Sequence, residues 1–97
     1  IEYISPAIFD ELDHLKSLAI CYNNLTRIES FNFEKLTKLE NLSLSKNRIT
    51  HIDQNSFLNL ENLKTLKLAY NLITHLSFDL SNCKKLELLD MSENQLE

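Results

Sequence analysis

The side chains able to do chemistry are few and widely spaced. His14, His51 and His75 supply imidazoles and Cys21 and Cys83 supply thiols, but no HExxH or CxxC spacing joins them. No histidine stands beside a plausible Ser or Cys nucleophile. His51 and His75 recur at the same point of a repeating unit, and Asp53 follows His51 by two residues. Stacked units about 5 Å apart would bring the two imidazoles close enough for a shared metal or a pH-sensitive flank. Arg27 and Tyr3 occupy the same column, which suggests instead a merely polar surface. Glycine is absent. Its absence removes the phosphate-cradling loop, the dinucleotide turn, the nucleophile elbow and the standard EF-hand loop. The expectation is a chain without catalysis, with no cofactor and no metal.

Binding chemistry is better represented. Tyr22, Lys46, Tyr70 and Glu93 fall in one column, and Lys67 lies nearby. Tyrosine and lysine on neighbouring strands would stack as a cation–π group, and exposed tyrosine is favoured at protein interfaces. The plainer alternative is a scatter of surface aromatics. Lys16, Glu40, Lys64 and Glu87 alternate in sign in a second column, which reads as a neutralising cross-strand ladder. Two glycosylation sequons are present, Asn24-Leu25-Thr26 and Asn41-Leu42-Ser43, but random placement alone would produce about as many.

What must position these groups is a repeat. Aligning on Leu15, Leu39, Leu63 and Leu86 gives spacings of 24, 24 and 23. The segments LKSLAICYNNL, LENLSLSKNRI, LKTLKLAYNLI and LELLDMSENQL each follow L-x-x-L-x-L-x-x-N-x-L, with Ile20 and Met91 in place of the third Leu and Ile49 and Ile73 in place of the last. The second halves match through Ile28, Ile52 and Leu76, then Phe33, Phe57 and Leu80, then Leu36, Leu60 and Cys83. Ile1, Ile4, Phe9 and Leu12 fit the tail of an earlier unit, so all 29 column positions are apolar. In the third unit the step from Leu76 to Leu80 is one residue short, and Phe78 is expected to fill the space of the missing Phe.

In L-x-x-L-x-L the last two Leu have period 2 and point to one face of a short strand. One such strand cannot bury that face alone, but stacked units make a continuous core. Strands are expected near 18–20, 42–44, 66–68 and 89–91, with irregular or 3₁₀-like returns. Asn23, Asn47, Asn71 and Asn94 sit where the chain leaves each strand, and a carboxamide carries both the donor and the acceptor those backbone groups need. Replacing Leu44 or Leu68 with Asp would bury a charge in the core.

The chain resembles the leucine-rich repeat family over its whole length. The 24-residue unit with a late Phe is similar to the typical subclass found in Toll and Toll-like receptor ectodomains and secreted insect immune proteins. The resemblance implies an α/β-type solenoid, an arc with a short-stranded parallel sheet on the concave face and a mostly irregular or 3₁₀ convex side. Residues 1–97 would be a single solenoid fragment, with a partial tail over 1–14, units over 15–38, 39–62 and 63–85, and the start of a further unit over 86–97. Ile1 is not a natural translation start and end caps are missing, so the expectation is an interior piece of a longer ectodomain.

Function follows from that frame as expectation. Net charge −4 argues against nucleic acid, and no apolar run approaches the roughly 20 residues that span a bilayer. A non-catalytic recognition module in an extracellular receptor or secreted immune protein is favoured. Its partner would be a protein ligand or co-receptor, or a second chain in a homo- or heterodimer. The rivals are a structural spacer and a cytosolic scaffold. The partner-binding residues would be Tyr22, Lys46, Lys67 and Tyr70 on the concave face. A glycan on Asn24 would sit freely on the flank, and one on Asn41 would obstruct that face. Cys21 and Cys83 would lie on opposite sides of the solenoid, beyond the roughly 4.4–6.8 Å a disulfide allows.

Overall fold

The computed structural model describes residues 2–5 and 7–96, so the Ile1 column position lies outside the described residues. Six short strands form: β1 (Ser17–Ala19), β2 (Arg27–Ile28), β3 (Asn41–Ser43), β4 (His51–Ile52), β5 (Thr65–Lys67) and β6 (Leu88–Asp90). No helix is present among the described residues, so the helical share of an α/β-type solenoid is not found here.

Strands β1, β3, β5 and β6 make one parallel sheet in that order. The register joins Ser17, Asn41, Thr65 and Leu88 in one row and Leu18, Leu42, Leu66 and Leu89 in the next. Equivalent motif positions therefore stack without slip. Each strand begins one residue earlier than the spacing predicts. The third apolar residue of the motif lies just past the strand, where the chain is already bending. Its N–H still donates across the sheet, from Ile20 to Ser43 O at 2.9 Å, from Leu44 to Lys67 O at 2.8 Å and from Leu68 to Asp90 O at 2.8 Å. The central Leu42 and Leu66 are buried, while Ser17, Ala19, Asn41 and Lys67 stay on the outer face, as a two-residue period requires.

A second parallel pair, β2 with β4, aligns Arg27 with His51 and Ile28 with Ile52. The motif spacing alone does not anticipate this pairing. Ile28 and Ile52 bury their side chains while Arg27 and His51 remain exposed. The pairing stops there, and Leu76, the apolar counterpart in the shortened third unit, is 60% exposed. Between strands the chain returns through turns closed by i→i+3 bonds. Leu12, Leu36, Leu60 and Cys83 donate to Phe9, Phe33, Phe57 and Leu80 at 3.0–3.2 Å.

Every residue of the buried cluster is a column position, from Ile4 and Phe9 to Ile73 and Cys83. Not every column position is buried. Besides Leu76, the residues Leu12, Leu89 and Leu96 are exposed. Leu89 lies on β6, which has a neighbour on one side only. A repeat strand buries its apolar side chain against both neighbours, and one neighbour covers only part of it. Phe9, Phe33 and Phe57 stack with centroids 6.1 and 6.4 Å apart, and Phe78 extends the row edge-on to Phe57 at 5.5 Å. Phe78 thus fills the place left by Leu80.

The motif asparagines tie successive units. Asn71 donates to Leu44 O at 3.0 Å and Leu68 O at 3.1 Å, and its Oδ1 accepts the Ile49 N–H at 3.0 Å. Asn47 makes the same set with Ile20 O, Leu44 O and Leu25 N, and Asn94 with Leu68 O, Met91 O and Ile73 N. Asn23 donates to Cys21 O at 3.0 Å. Asn47 and Asn71 are buried, so each carboxamide replaces water for backbone groups that have left the sheet.

Candidate partner-binding surface

Immediately before each motif asparagine the backbone enters the left-handed region: φ is 58° at Tyr22, 61° at Lys46, 57° at Tyr70 and 56° at Glu93. Glycine or asparagine usually takes such a position, because a β-carbon there costs about 1–2 kcal/mol. With no glycine in the chain, four side-chain-bearing residues occupy it. Backbone bonds hold the bend, from Lys46 N–H to Ala69 O at 2.9 Å and from Tyr70 N–H to Ser92 O at 3.0 Å. Because the bend recurs in each unit, the side chains it carries form a row along one margin of the sheet.

Three members of that row touch. Lys46 Nζ donates to Tyr22 Oη at 2.6 Å and lies 4.7 Å from the Tyr22 ring centroid and 5.5 Å from that of Tyr70. The hydrogen bond to Tyr22 is the main cause that raises the Lys46 ammonium above the usual lysine range. All three side chains are exposed, Tyr22 at 76% and Tyr70 at 54%. Both rings stand within the roughly 6 Å over which a cation and an aromatic face attract. Rings and cation therefore form one exposed amphipathic surface.

Lys67 does not join that cluster. It stands on β5 in register with Asp90 of β6, and its charge helps to hold the Asp90 carboxyl below the usual range, after the larger effects of the Ser92 hydroxyl and N–H. With Ser17, Ala19, Asn41, Ser43 and Thr65 it lines a shallow groove of about 500 Å³ on the outer face. Sequence reasoning misses these small polar residues as a site. The signal lies in the outward positions of the two-residue period, which the core leaves free. Across the groove floor Asn41 Nδ2 donates to Ser17 Oγ at 3.1 Å, and Thr65 Oγ1 donates to Asn41 Oδ1 at 2.7 Å. Of the alternating charge column, Lys64 Nζ and Glu40 Oε1 approach to 3.7 Å.

The histidines are occupied separately. His51 Nε2 lies 2.7 Å from Asp53 Oδ1, and His75 Nδ1 lies 2.7 Å from Thr74 Oγ1. Asp53 also accepts the Ser30 N–H at 3.2 Å and stands 3.8 Å from Arg27. This arrangement holds its carboxyl below the usual carboxylate range, chiefly through the His51 bond. Among the described residues no group of three or more His, Cys, Asp and Glu side chains is placed to hold a metal ion. The thiols are likewise engaged apart: Cys21 Sγ lies 3.2 Å from Ser43 Oγ, and Cys83 Sγ donates to Phe57 O at 3.6 Å. Among the described residues no helix is long and apolar enough to cross a membrane.

The sequence model of one family, described as Leucine rich repeat, matches residues 1–49 and 37–96. No curated protein matches the chain.

Proposed function

The chain belongs to the leucine-rich repeat family, and from that premise we propose that it is a protein-recognition module of an extracellular receptor or a secreted immune protein. Domains of this family generally mediate recognition between proteins and generally carry no catalysis. The 24-residue period with its late Phe supports the extracellular reading through its likeness to the typical subclass of Toll and Toll-like ectodomains. The observation that carries the docking proposal is the Tyr22–Lys46–Tyr70 row, where two exposed rings share one lysine. Tyrosine brings contact area at low rotamer cost, and the ammonium favours a partner that presents acidic groups. The groove with Lys67 lies beside this row and would extend the contact.

Binding of the partner protein to single variants tests the proposal. Tyr22→Ala and Tyr70→Ala are each expected to weaken binding by about 1–2 kcal/mol with the melting temperature nearly unchanged, since neither ring is part of the core. A His51/His75 double variant serves as the control for docking through the flank. Unchanged affinity in both tyrosine variants would overturn docking at this row and favour a spacer role.

A further inference from the structure

We propose that Asn24 is the N-glycosylation acceptor of this chain and that Asn41 is not; the inference rests on the extracellular reading above. Both asparagines carry the Asn-x-Ser/Thr tripeptide, and their places in the repeat put Asn24 on the flank and Asn41 on the sheet face. The structure separates them. Asn24 is exposed in the segment between the bend at Tyr22 and β2, and its carboxamide makes no hydrogen bond among the described residues. The backbone just after it is anchored independently. Leu25 N–H donates to Asn47 Oδ1 at 3.2 Å, Thr26 N–H donates to Glu2 O at 3.2 Å, and Thr26 O accepts the Thr50 N–H at 3.0 Å. A sugar on Asn24 therefore displaces no contact.

Asn41 is exposed as well, but its carboxamide is hydrogen-bonded on both sides. It is the middle member of the Ser17–Asn41–Thr65 row, with its Nδ2 on Ser17 and its Oδ1 on Thr65, in the floor of the outer-face groove. In the transfer reaction the acceptor Nδ2 loses a proton and bonds to the anomeric carbon of an N-acetylhexosamine. The bond from that carbon to a polyprenyl-pyrophosphate carrier breaks, and the pyrophosphate leaves with the electron pair. On Asn41 the sugar would be attached to the very nitrogen that donates to Ser17, leaving it a single hydrogen. It would also stand an oligosaccharide in the groove between β1 and β5. On Asn24 the same bond leaves both sheets and the Tyr22–Lys46–Tyr70 row intact.

The test is secretion of the full chain from eukaryotic cells behind a cleavable signal, with intact mass measured before and after enzymatic removal of N-linked glycans. One glycan is expected on the parent chain and on Asn41→Gln, and none on Asn24→Gln. Thermal melts of both variants verify that the fold persists. A glycan that remains on Asn24→Gln, two glycans on the parent chain, or a secreted parent chain with none would each overturn the assignment. Because the signal is supplied, this outcome is separate from the protein's own location. Fractionation of cells that make the protein naturally reads that location, and a cytosolic pool alone would overturn the extracellular reading while leaving the acceptor result standing.

Discussion

At the scale of single residues, the asparagines and the bends before them are two halves of one device. The left-handed bend lets the chain leave the sheet, and the carboxamide that follows takes up the backbone groups the bend releases. Asn71 serves the Leu44, Leu68 and Ala69 carbonyls and the Ile49 N–H at once. Leu44 O, Leu68 O and Ala69 O keep second donors in Asn47, Asn94 and the Lys46 N–H, so truncating Asn71 leaves the buried Ile49 N–H without a partner, worth about 1–3 kcal/mol. Asn71→Ala should therefore lower unfolding free energy in urea by about 1–3 kcal/mol. Asn94→Ala should cost less, because Asn94 is only half-buried and water can replace part of its set. Equal losses at the two positions would contradict the role of burial.

At the scale of elements, column membership and burial part company in the third unit. Ile52 lies on β4, pairs with β2 and is 3% exposed, whereas Leu76 has the same place in the repeat and is 60% exposed. The third unit is one residue short between Leu76 and Leu80, its chain does not join the second sheet, and Phe78 packs edge-on to Phe57. Ile52→Ala is expected to cost about 2–4 kcal/mol, in the usual range for a buried aliphatic. Leu76→Ala is expected to cost under about 0.5 kcal/mol, as an exposed position does. Chemical denaturation of the two variants side by side checks the pair, and a large loss at Leu76 would place it in the core after all.

At the scale of the whole molecule, stability is shared along the stack, because each unit buries its apolar face against its neighbours. Leu44→Asp would put a charge into a site with no exposed surface and should abolish the cooperative transition, measured by circular dichroism. Acid acts on the same whole through several carboxylates. Asp53 is depressed chiefly by the His51 hydrogen bond, Asp79 by the Ser81 N–H and hydroxyl, and Asp90 by the Ser92 hydroxyl and N–H. A depressed carboxyl stabilises the fold fully above its unfolded value of about 4, and that contribution is lost as pH falls through the folded value. The melting temperature should therefore drop below about pH 4, and Asp53→Asn should make the drop shallower.

The period of the repeat, the parallel pairing, the asparagine sites and most of the core were legible in the sequence. They follow from the two-residue and 24-residue spacings of apolar side chains, which the chain carries locally. The Tyr22–Lys46–Tyr70 column was legible as an alignment, because stacked units bring equal positions together. What only the tertiary structure decided depends on which neighbours a side chain meets. Lys67 faces Asp90 across the sheet and so stands apart from the tyrosines. Asn41 finds Ser17 and Thr65 on either side while Asn24 finds no partner among the described residues, although both carry the same tripeptide. Leu76 has the right residue type for the core, yet it stands exposed beyond the paired strands of the second sheet. Spacing along the chain sets which residues share a row, and the packing of adjacent rows sets which of them are covered, bonded or free.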